Sequence, residues 1–224
     1  PHQALLERDQ PYRMIGCALL FAFAGLLLFS AWWSFFRGDA LLSRNDNPRR
    51  FISDRYVLRG SIYDQNNQLL ASTTGEIGNY TRTLTYPPLS SVIGYSDSNY
   101  GQAGLEANQD TLLRGVTGNN YWQVFKTRLL FGQYPQGYDL RTSIDLNLQQ
   151  KADLLLEGET GSILVLNAKS GEILAMSTSP TFNSNLLAEN MEAWKTDADS
   201  PLLNRVTQGA YPPGSITGGL LLNY

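Results

Sequence analysis

An uncharged stretch near the N-terminus, Met14–Phe36, limits what this chain can fold into more than any other feature of its sequence. It runs for 23 residues without an Asp, Glu, Lys or Arg. An α-helix of that length spans about 34 Å, which is enough to cross the hydrocarbon core of a bilayer. Trp32, Trp33, Phe35 and Phe36 crowd its C-terminal end, as in an interfacial aromatic belt. The stretch therefore predicts a single transmembrane helix.

A secretory signal peptide is the alternative to an anchor, but two features argue against it. The apolar region of a signal peptide covers about 7–15 residues and is followed by a small-residue cleavage site, and neither fits Met14–Phe36. Orientation is harder to predict, because arginines lie on both sides of the stretch. Arg37, Arg44, Arg49 and Arg50 outnumber Arg8 and Arg13, yet a long domain is translocated largely regardless of such charges.

The composition argues against several classes of site. His2 is the only histidine and Cys17 the only cysteine, which argues against a Ser-His-Asp triad, a histidine-ligated metal and a disulfide framework. We expect no metal and no cofactor. The net charge of −3 at pH 7 shows no basic footprint, so we expect no nucleic-acid partner.

Two segments have the residue pattern of β-hairpins. Arg59–Ser72 predicts two short strands around Asn66-Asn67, and Asn67 is a residue that tolerates the left-handed conformation. A clearer hairpin is predicted for Gly161–Asn167 and Glu172–Ser177, which are joined by Ala168-Lys169-Ser170-Gly171. Both hairpins point to a mixed α and β domain after the apolar stretch.

Three further positions carry structural expectations. Leu105, Leu112 and Leu113 have a spacing that would pack a short helix against a sheet. Asp145 is the predicted N-cap of an amphipathic helix. Glu106 could serve as a catalytic acid, but no second carboxylate is placed to pair with it. We therefore expect Glu106 to form a structural salt bridge or cap.

The candidate for chemistry is Ser215, within Tyr211-Pro212-Pro213-Gly214-Ser215-Ile216-Thr217-Gly218. The prolines fix φ and the glycine permits a sharp turn, which brings Ser215 to the start of a predicted apolar helix. A serine at a helix N-terminus has an exposed hydroxyl in the positive end of the helix dipole, as a nucleophile needs. The same position equally suits a plain N-cap.

Several motifs resemble class B penicillin-binding proteins of the small-pedestal, elongation or sporulation type. The resemblance runs from about Arg59 to Ser215 and lies in the following segments: Arg59-Gly60-Ser61-Ile62-Tyr63-Asp64, Gly101-Gln102-Ala103-Gly104-Leu105-Glu106, the hairpin at Gly161–Ser177, Leu202-Leu203-Asn204-Arg205 and Tyr211-Pro212-Pro213-Gly214-Ser215. It implies an α+β chain in which a pedestal domain precedes the beginning of a penicillin-binding transpeptidase domain of the serine β-lactamase-like fold. The predicted boundaries are a cytoplasmic tail over 1–13, a transmembrane helix over 14–36, a juxtamembrane linker over 37–58, the pedestal over 59–150 and an incomplete transpeptidase-like domain over 151–224.

The resemblance implies that Ser215 is the nucleophile that cross-links D-Ala-D-Ala stem peptides of peptidoglycan and is acylated by β-lactams. It also implies a single-pass protein of the bacterial inner membrane with an extracytoplasmic C-terminal domain. A SEDS-family glycan polymerase would be a partner through the membrane helix and the pedestal.

The chain departs from the family at the position that its chemistry most needs. Active members continue S-x-x-K after the serine, but here the fourth residue is Gly218. Lys169-Ser170-Gly171 and Ser96-Asp97-Ser98-Asn99 resemble the family's K-[ST]-G and S-x-N elements, but they lie in the wrong places. Three explanations are open: a fragment of a longer protein, a join between non-contiguous segments, or a degenerate relative. The alternative function is a catalytically inactive scaffold or regulatory subunit of a membrane complex.

Overall fold

The computed structural model describes residues 2–42, 56–97, 99–118, 120, 122, 125–126 and 136–212. The chain divides into two compact units, Pro1–Arg50 and Phe51–Tyr224. The described part of the first unit is one helix, α1 (His2–Leu42), which extends past both ends of the predicted Met14–Phe36. Within it, Tyr12–Trp33 is long and apolar enough to cross a membrane, with a mean hydropathy of 2.3 and no buried residue. The predicted apolar helix is therefore present as a candidate membrane span.

The second unit begins with a small sheet and several short helices. In chain order these elements are β1 (Ile62–Tyr63), β2 (Leu69–Glu76), β3 (Asn79–Leu84), a 3₁₀ turn (Pro87–Leu89), α2 (Ser90–Ile93), β4 (Tyr95–Asp97), β5 (Gly101–Ala103), α3 (Gly104–Asn108), α4 (Asp110–Leu113) and β6 (Leu140–Arg141). Four of the strands form one sheet in the order β3-β2-β1-β6, while β4 and β5 form a separate hairpin. Below, the name pedestal is used for residues 56–141 of this unit, whereas the sequence predicted a pedestal over 59–150.

The turn between β1 and β2 has the predicted geometry. Asn67 adopts a φ of 62°, in the left-handed region. Asp64 is fully buried and its Oδ1 accepts hydrogen bonds from the backbone N–H groups of Asn66 and Gln68, both at 2.7 Å. A short acidic side chain that bonds to its own turn is a common way to fix such a loop.

One apolar core lies against this sheet. Its buried members are Ile62, Leu70, Ala71, Leu84, Leu89, Ile93, Leu113 and Ile144. The leucine spacing predicts one helix over Leu105–Leu113. In the structure Gln109 leaves the helical region (φ −106°, ψ 20°), and the segment is divided into α3 and α4. Strand β6 has only two residues, because it pairs in parallel with the two residues of β1.

The remaining described elements follow the pedestal. They are α5 (Leu146–Leu155), β7 (Gly161–Leu166), β8 (Ile173–Ser179), a 3₁₀ turn (Ser184–Leu186), α6 (Leu187–Thr196) and α7 (Arg205–Gln208). Strands β7 and β8 form the predicted antiparallel hairpin, from Gly161 opposite Ser179 to Leu166 opposite Ile173. Asp145 caps α5 as predicted, since its side chain accepts hydrogen bonds from the N–H groups of Asn147 and Leu148.

Polar contacts join this later part to the pedestal. The side chain of Asn185 accepts a hydrogen bond from the N–H of Leu84 (2.8 Å) and donates one to its carbonyl (2.9 Å). It therefore occupies the place of a neighbouring strand at the end of β3. A second apolar cluster joins Phe182, Leu187 and Met191 to Tyr95 and Tyr100 of the pedestal, with Trp194 and Leu202 packed against it.

Candidate active site

The predicted nucleophile, Ser215, and the glycine at 218 lie outside the described residues, which end at Pro212. The structure therefore describes how the chain is held up to that point. Tyr211 is exposed. The Cα of Gly209 lies so close to Arg205 and Tyr211 that a residue with a Cβ does not fit. A Cβ at Gly209 would lie 2.5 Å from the Arg205 carbonyl oxygen and 2.5 Å from the Tyr211 ring. Real Cβ atoms do not approach other atoms so closely, so any larger residue would displace the chain just before Pro212.

Arg205 fixes the start of this segment. Its side chain is 6% exposed, and its guanidinium donates hydrogen bonds to the carbonyls of Pro180 (3.3 Å), Ser200 (3.3 Å) and Asp199. Its backbone N–H donates to Oγ1 of Thr178 on β8 at 2.9 Å. A buried cation requires such compensation. The three carbonyls lie on the segments before α7, so one side chain gathers them around the end of β8.

The side chain of Asn204 bonds both to α7 and to the pedestal. Its Oδ1 accepts hydrogen bonds from the N–H groups of Val206 (3.1 Å) and Thr207 (3.3 Å), which caps α7. Its Nδ2 donates to the carbonyl of Ser91 in the pedestal at 3.0 Å. The short helix before the predicted nucleophile is thus attached both to β8 and to the pedestal.

A buried polar network holds β8 from the side of α5. The amide of Gln149 accepts a hydrogen bond from the Met176 N–H (2.8 Å) and donates one to the Met176 carbonyl (3.0 Å). Ser177 Oγ donates to Asp153 Oδ1 at 2.5 Å, and the Gln149 amide donates to the same oxygen at 3.0 Å. Burial raises the pKa of Tyr86 well above its ordinary value, and a hydrogen bond to Asp153 and its negative charge add to that rise. The network therefore fixes β8 next to the Thr178 contact of Arg205.

Glu106 has the structural role that the sequence favoured. The side chain is 1% exposed and lies between two guanidinium groups, with Arg59 Nη2 at 2.9 Å from Oε2 and Arg82 Nη2 at 2.6 Å from Oε1. Arg59 also pairs with Asp110 at 2.6 Å. Burial lowers the pKa of Arg82, although Glu106 opposes the shift. This cluster joins Arg59 to β3, α3 and α4 within the pedestal.

The two look-alike motifs lie in an exposed hairpin turn and in the pedestal. Lys169-Ser170-Gly171 forms the exposed turn of the β7–β8 hairpin, where Ser170 Oγ donates to Glu172 Oε2 at 2.7 Å. Ser96 and Asp97 belong to β4 of the pedestal. Among the described residues, no group of three or more His, Cys, Asp or Glu could hold a metal ion.

Two family models match this chain. The family described as "Penicillin binding protein A dimerisation domain" matches residues 59–140, and "Penicillin binding protein transpeptidase domain" matches residues 161–218, which include Ser215. This chain belongs to the penicillin-binding protein family. The resemblance inferred from its motifs is confirmed.

Relatives and solved structures agree with this assignment. The chain is 31% identical over 222 residues to the peptidoglycan D,D-transpeptidase PbpA of Mycolicibacterium smegmatis, over 91% of this chain and 44% of that relative. It is 33% identical over 147 residues to the peptidoglycan D,D-transpeptidase MrdA of Escherichia coli K12, over 63% of this chain and 22% of MrdA. The chain thus spans less than half the length of either relative.

The fold is similar to that of penicillin-binding protein A from M. tuberculosis, solved as an imipenem acyl-enzyme complex. The TM-score is 0.64 at 27% sequence identity, over 72% of this chain and 40% of that one. The predicted fold class, an apolar helix followed by an α+β part with a pedestal and the beginning of a transpeptidase fold, is confirmed.

The sequence analysis of this penicillin-binding protein did not assign roles to Asn204, Arg205, Gln149 or Asp153. Asn204 carried a usable signal, because asparagine before a short polar segment is a common N-cap. Gln149 and Asp153 are four residues apart on α5 and therefore share a helix face. No residue type indicated the role of Arg205, because its guanidinium bonds only to backbone carbonyls, and two of its partners, Pro180 and Thr178, lie 25 and 27 residues away.

Proposed function

We propose that this chain carries the membrane anchor, the pedestal and the nucleophile-bearing segment of a peptidoglycan D,D-transpeptidase. It would lie in the bacterial inner membrane as a single-pass protein, with residues after α1 outside the cytoplasm. The observation that carries the proposal is the transpeptidase family match over residues 161–218, which includes Ser215. The named relatives, PbpA and MrdA, are both peptidoglycan D,D-transpeptidases.

In this function Ser215 supplies the nucleophile. Its Oγ attacks the carbonyl carbon of the D-Ala-D-Ala peptide bond of a stem peptide, the terminal D-Ala leaves as the free amine, and an ester-linked acyl-enzyme forms. An amine of a neighbouring stem peptide then attacks that ester, which forms the cross-linking amide, and a proton of this amine passes to Ser215 Oγ as the serine leaves. The backbone N–H of Ser215 is one donor to the oxyanion. A β-lactam would acylate the same oxygen, as imipenem does in penicillin-binding protein A of M. tuberculosis.

The described residues contribute by holding the segment, not by chemistry. Arg205, Asn204 and Gly209 fix the chain up to Pro212 through buried hydrogen bonds and one close backbone approach. Positioning of this kind matters, because an error of about 1 Å in the placement of a reacting group costs on the order of 100-fold in rate.

Gly218 favours a second candidate function, a scaffold without catalytic activity. A positioned base contributes about 10²–10⁴-fold to deprotonation of a hydroxyl, or about 3–5 kcal/mol. The helix dipole at an exposed N-terminus contributes only about 0.3–1 kcal/mol and does not replace a base. A scaffold would bind a SEDS-family glycan polymerase through the membrane helix and the pedestal, and that contact needs no lysine at 218.

A chimaera separates the two functions. Residues 1–217 of this chain are joined to a lysine at position 218 and then to the part of the M. smegmatis relative that follows the region matched by this chain. The purified chimaera is incubated with a fluorescent penicillin, and the adduct is located by mass spectrometry. If the proposal holds, the adduct forms on Ser215 and is lost in Ser215→Ala.

Two comparisons make the result decisive. The unaltered chain, with glycine at 218, is expected to give no adduct under the same conditions. A chimaera that is folded by circular dichroism yet unlabelled would contradict the transpeptidase proposal and favour the scaffold. An adduct on the unaltered chain that disappears in Ser215→Ala would mean that another group supplies the base. The scaffold function would then be excluded.

A further inference from the structure

Strand β3 (Asn79–Leu84) is the outermost strand at one side of the four-stranded sheet of the pedestal. In an antiparallel pair the N–H and C=O of one residue point to the same side of the strand, and successive residues alternate. Both backbone groups of Leu84 point away from β2, since they bond to the side chain of Asn185. Because β3 pairs with β2 without a bulge, the backbone groups of Tyr80 and Arg82 point the same way.

These backbone groups have no partner on the side away from β2. Within the part of the chain that the structure describes, neither Tyr80 nor Arg82 makes a backbone hydrogen bond on that side. A cavity of about 320 Å³ is lined in part by Tyr80, Thr81 and Arg82, so the space beside these residues is open. A strand edge with unpaired N–H and C=O groups is a template for a further strand.

The edge of β3 lacks the features that usually prevent such pairing, which are lysine, proline, a bulge or an uncompensated charge. The strand contains no Lys or Pro. Its one charge, Arg82, is directed into the pedestal, where Nε donates to Glu106 Oε1 at 2.7 Å and Nη1 donates to the Gly60 carbonyl at 2.9 Å. A further strand would therefore not bury an unpaired charge. The exposed side chains of β3, those of Asn79, Thr81 and Thr83, are uncharged.

A second copy of this chain fits the edge, because the unpaired groups lie symmetrically about Thr81. If two β3 strands pair antiparallel about a two-fold axis at Thr81, Tyr80 of each copy faces Arg82 of the other, and each facing pair exchanges both hydrogen bonds. A pairing shifted toward Leu84 would meet the side chain of Asn185. A pairing shifted the other way would place Arg82 opposite Gly78, which lies outside β3.

Two further observations favour a second copy over other occupants. Ile77 is 65% exposed in the turn before β3, and Leu186 is 42% exposed beside Asn185. In the pairing about Thr81, Ile77 of each copy comes level with the Leu84 end of the other strand, where Leu186 lies. In addition, the family that matches residues 59–140 is described as a dimerisation domain, and that description names no surface.

We propose that β3 of this chain pairs antiparallel with β3 of a second copy, with Thr81 at the two-fold axis. The two four-stranded sheets then form one continuous sheet. The inference concerns the pedestal alone and does not depend on chemistry at Ser215.

The test is disulfide cross-linking of the full chain in detergent, with the only cysteine, Cys17, replaced by serine. In Thr81→Cys the two introduced cysteines would face each other in a non-hydrogen-bonded pair with Cα atoms about 4.5 Å apart, within the range of a disulfide. Thr74→Cys is the matched control. Thr74 is exposed and faces Thr81 from β2, so the two copies of Thr74 would be three strand spacings apart, about 14 Å.

The expected result is a disulfide-linked dimer of Thr81→Cys under mild oxidation, whereas Thr74→Cys stays monomeric. A mixture of Asn79→Cys and Thr83→Cys chains should form a linked heterodimer, because these two positions face each other across the axis, and neither variant should link to itself.

Sedimentation equilibrium of chains without introduced cysteines gives an independent measurement. Thr81→Lys should raise the dissociation constant of the dimer at least about tenfold, since two like charges would meet at the axis. Thr74→Lys, one strand further in, should leave it unchanged. Circular dichroism checks that both variants are folded, and the cross-linking result does not depend on either of them.

The other outcomes would overturn the proposal. Equal cross-linking at positions 81 and 74 would indicate random collision, not pairing of strands. A dimer that does not respond to Thr81→Lys would be held by another surface, such as α1. A chain that stays monomeric and does not cross-link at position 81 would show that β3 has a different occupant. Linking of Asn79→Cys to itself as readily as to Thr83→Cys would refute the symmetry about Thr81.

Discussion

Glu106 accepts charge-assisted hydrogen bonds from two arginines inside the pedestal, where little solvent reaches any of the three side chains. A second glutamate forms an ion pair of similar length in a more exposed place. Glu192 pairs with Lys195 at 2.8 Å on α6, but its side chain is 75% exposed. Burial, not distance, decides what each pair contributes, because removal of one partner leaves a desolvated charge only in the first case.

We expect Glu106→Gln to destabilise the chain by about 3–5 kcal/mol, since Arg82 would remain buried without its carboxylate partner and Arg59 would keep only Asp110. Glu192→Gln is the matched control and should cost less than about 1 kcal/mol. The measurement is urea unfolding of the full chain in detergent, followed by circular dichroism. Equal losses in the two variants would show that the buried cluster does not stabilise the pedestal.

The pKa of Asp110 predicts how the stability of the chain changes at acid pH. Burial alone would raise the pKa of Asp110, but the charge and hydrogen bond of Arg59, with help from Arg114 and Gln102, hold that pKa below its ordinary value. A carboxyl group with a lowered pKa in the folded state contributes stability above its unfolded pKa. That contribution is lost as the pH falls through the folded value.

The expected outcome is therefore a melting temperature that falls below about pH 4, where an unperturbed Asp begins to take up its proton. Asp110→Asn should lower the melting temperature at neutral pH and flatten this acid limb. The check is a series of thermal melts of both forms between neutral and acid pH. An acid limb of unchanged steepness in the variant would assign the response to other carboxylates.

Among the elements, those predicted correctly from the sequence have local causes. The β7–β8 hairpin follows from two apolar runs around Lys169-Ser170-Gly171, and α5 begins where Asp145 can cap it. The left-handed Asn67 follows from the tolerance of asparagine for positive φ. In each case the deciding interaction joins residues within a few positions, so it is visible in the sequence.

The elements that were missed or misjudged depend on partners far along the chain. Asn185 completes the hydrogen bonding of Leu84, which lies 101 positions earlier. Arg205 gathers carbonyls from two separate segments, one at Pro180 and one at Asp199 and Ser200. The helix expected over Leu105–Leu113 breaks at Gln109, and the apolar spacing there is equally compatible with one helix or two. Neither spacing nor propensity specifies such choices, because tertiary contacts decide them.

The N-cap of α5 can be tested by substitution of Asp145. Asp145→Ala should destabilise the chain by about 1 kcal/mol, because the N–H groups of Asn147 and Leu148 would lose their acceptor. Asp145→Asn, which keeps the acceptor oxygen, should cost much less. Chemical denaturation of the three forms measures the difference. If alanine and asparagine were equally destabilising, the charge or the Gln65 contact would be more important than the cap.

For the molecule as a whole, orientation in the membrane is the first open prediction. The candidate span Tyr12–Trp33 is a single helix, and the resemblance implies that residues after it lie outside the cytoplasm. Alkaline phosphatase fused after Tyr224 should be active in a bacterial host, since the enzyme matures only in an oxidising compartment. A fluorescent cytoplasmic reporter at the same site is the control, and fluorescence with an inactive phosphatase would reverse the topology.

The pedestal and the segment before Ser215 should also respond to each other. Asn185 satisfies both backbone groups of Leu84, and Asn204 donates to the Ser91 carbonyl. These bonds couple the β7–β8 region to the pedestal, because a buried backbone group left without a partner costs about 1–3 kcal/mol. Loss of Asn185 should therefore lower the stability of both parts, not only that of the turn in which it lies.

Hydrogen exchange of the full chain in detergent tests this coupling. In Asn185→Ala the exchange free energies of strand amides in both regions, such as Leu70 on β2 and Val165 on β7, should fall together by about 1–3 kcal/mol. Asn190→Ala is the control, since its side chain makes one exposed bond to the Leu186 carbonyl at 3.4 Å and should change neither region. A fall confined to Val165 would mean that the hairpin unfolds independently of the pedestal. In that case Arg205 and Asn204 would hold the approach to Ser215 only as long as the hairpin itself is folded.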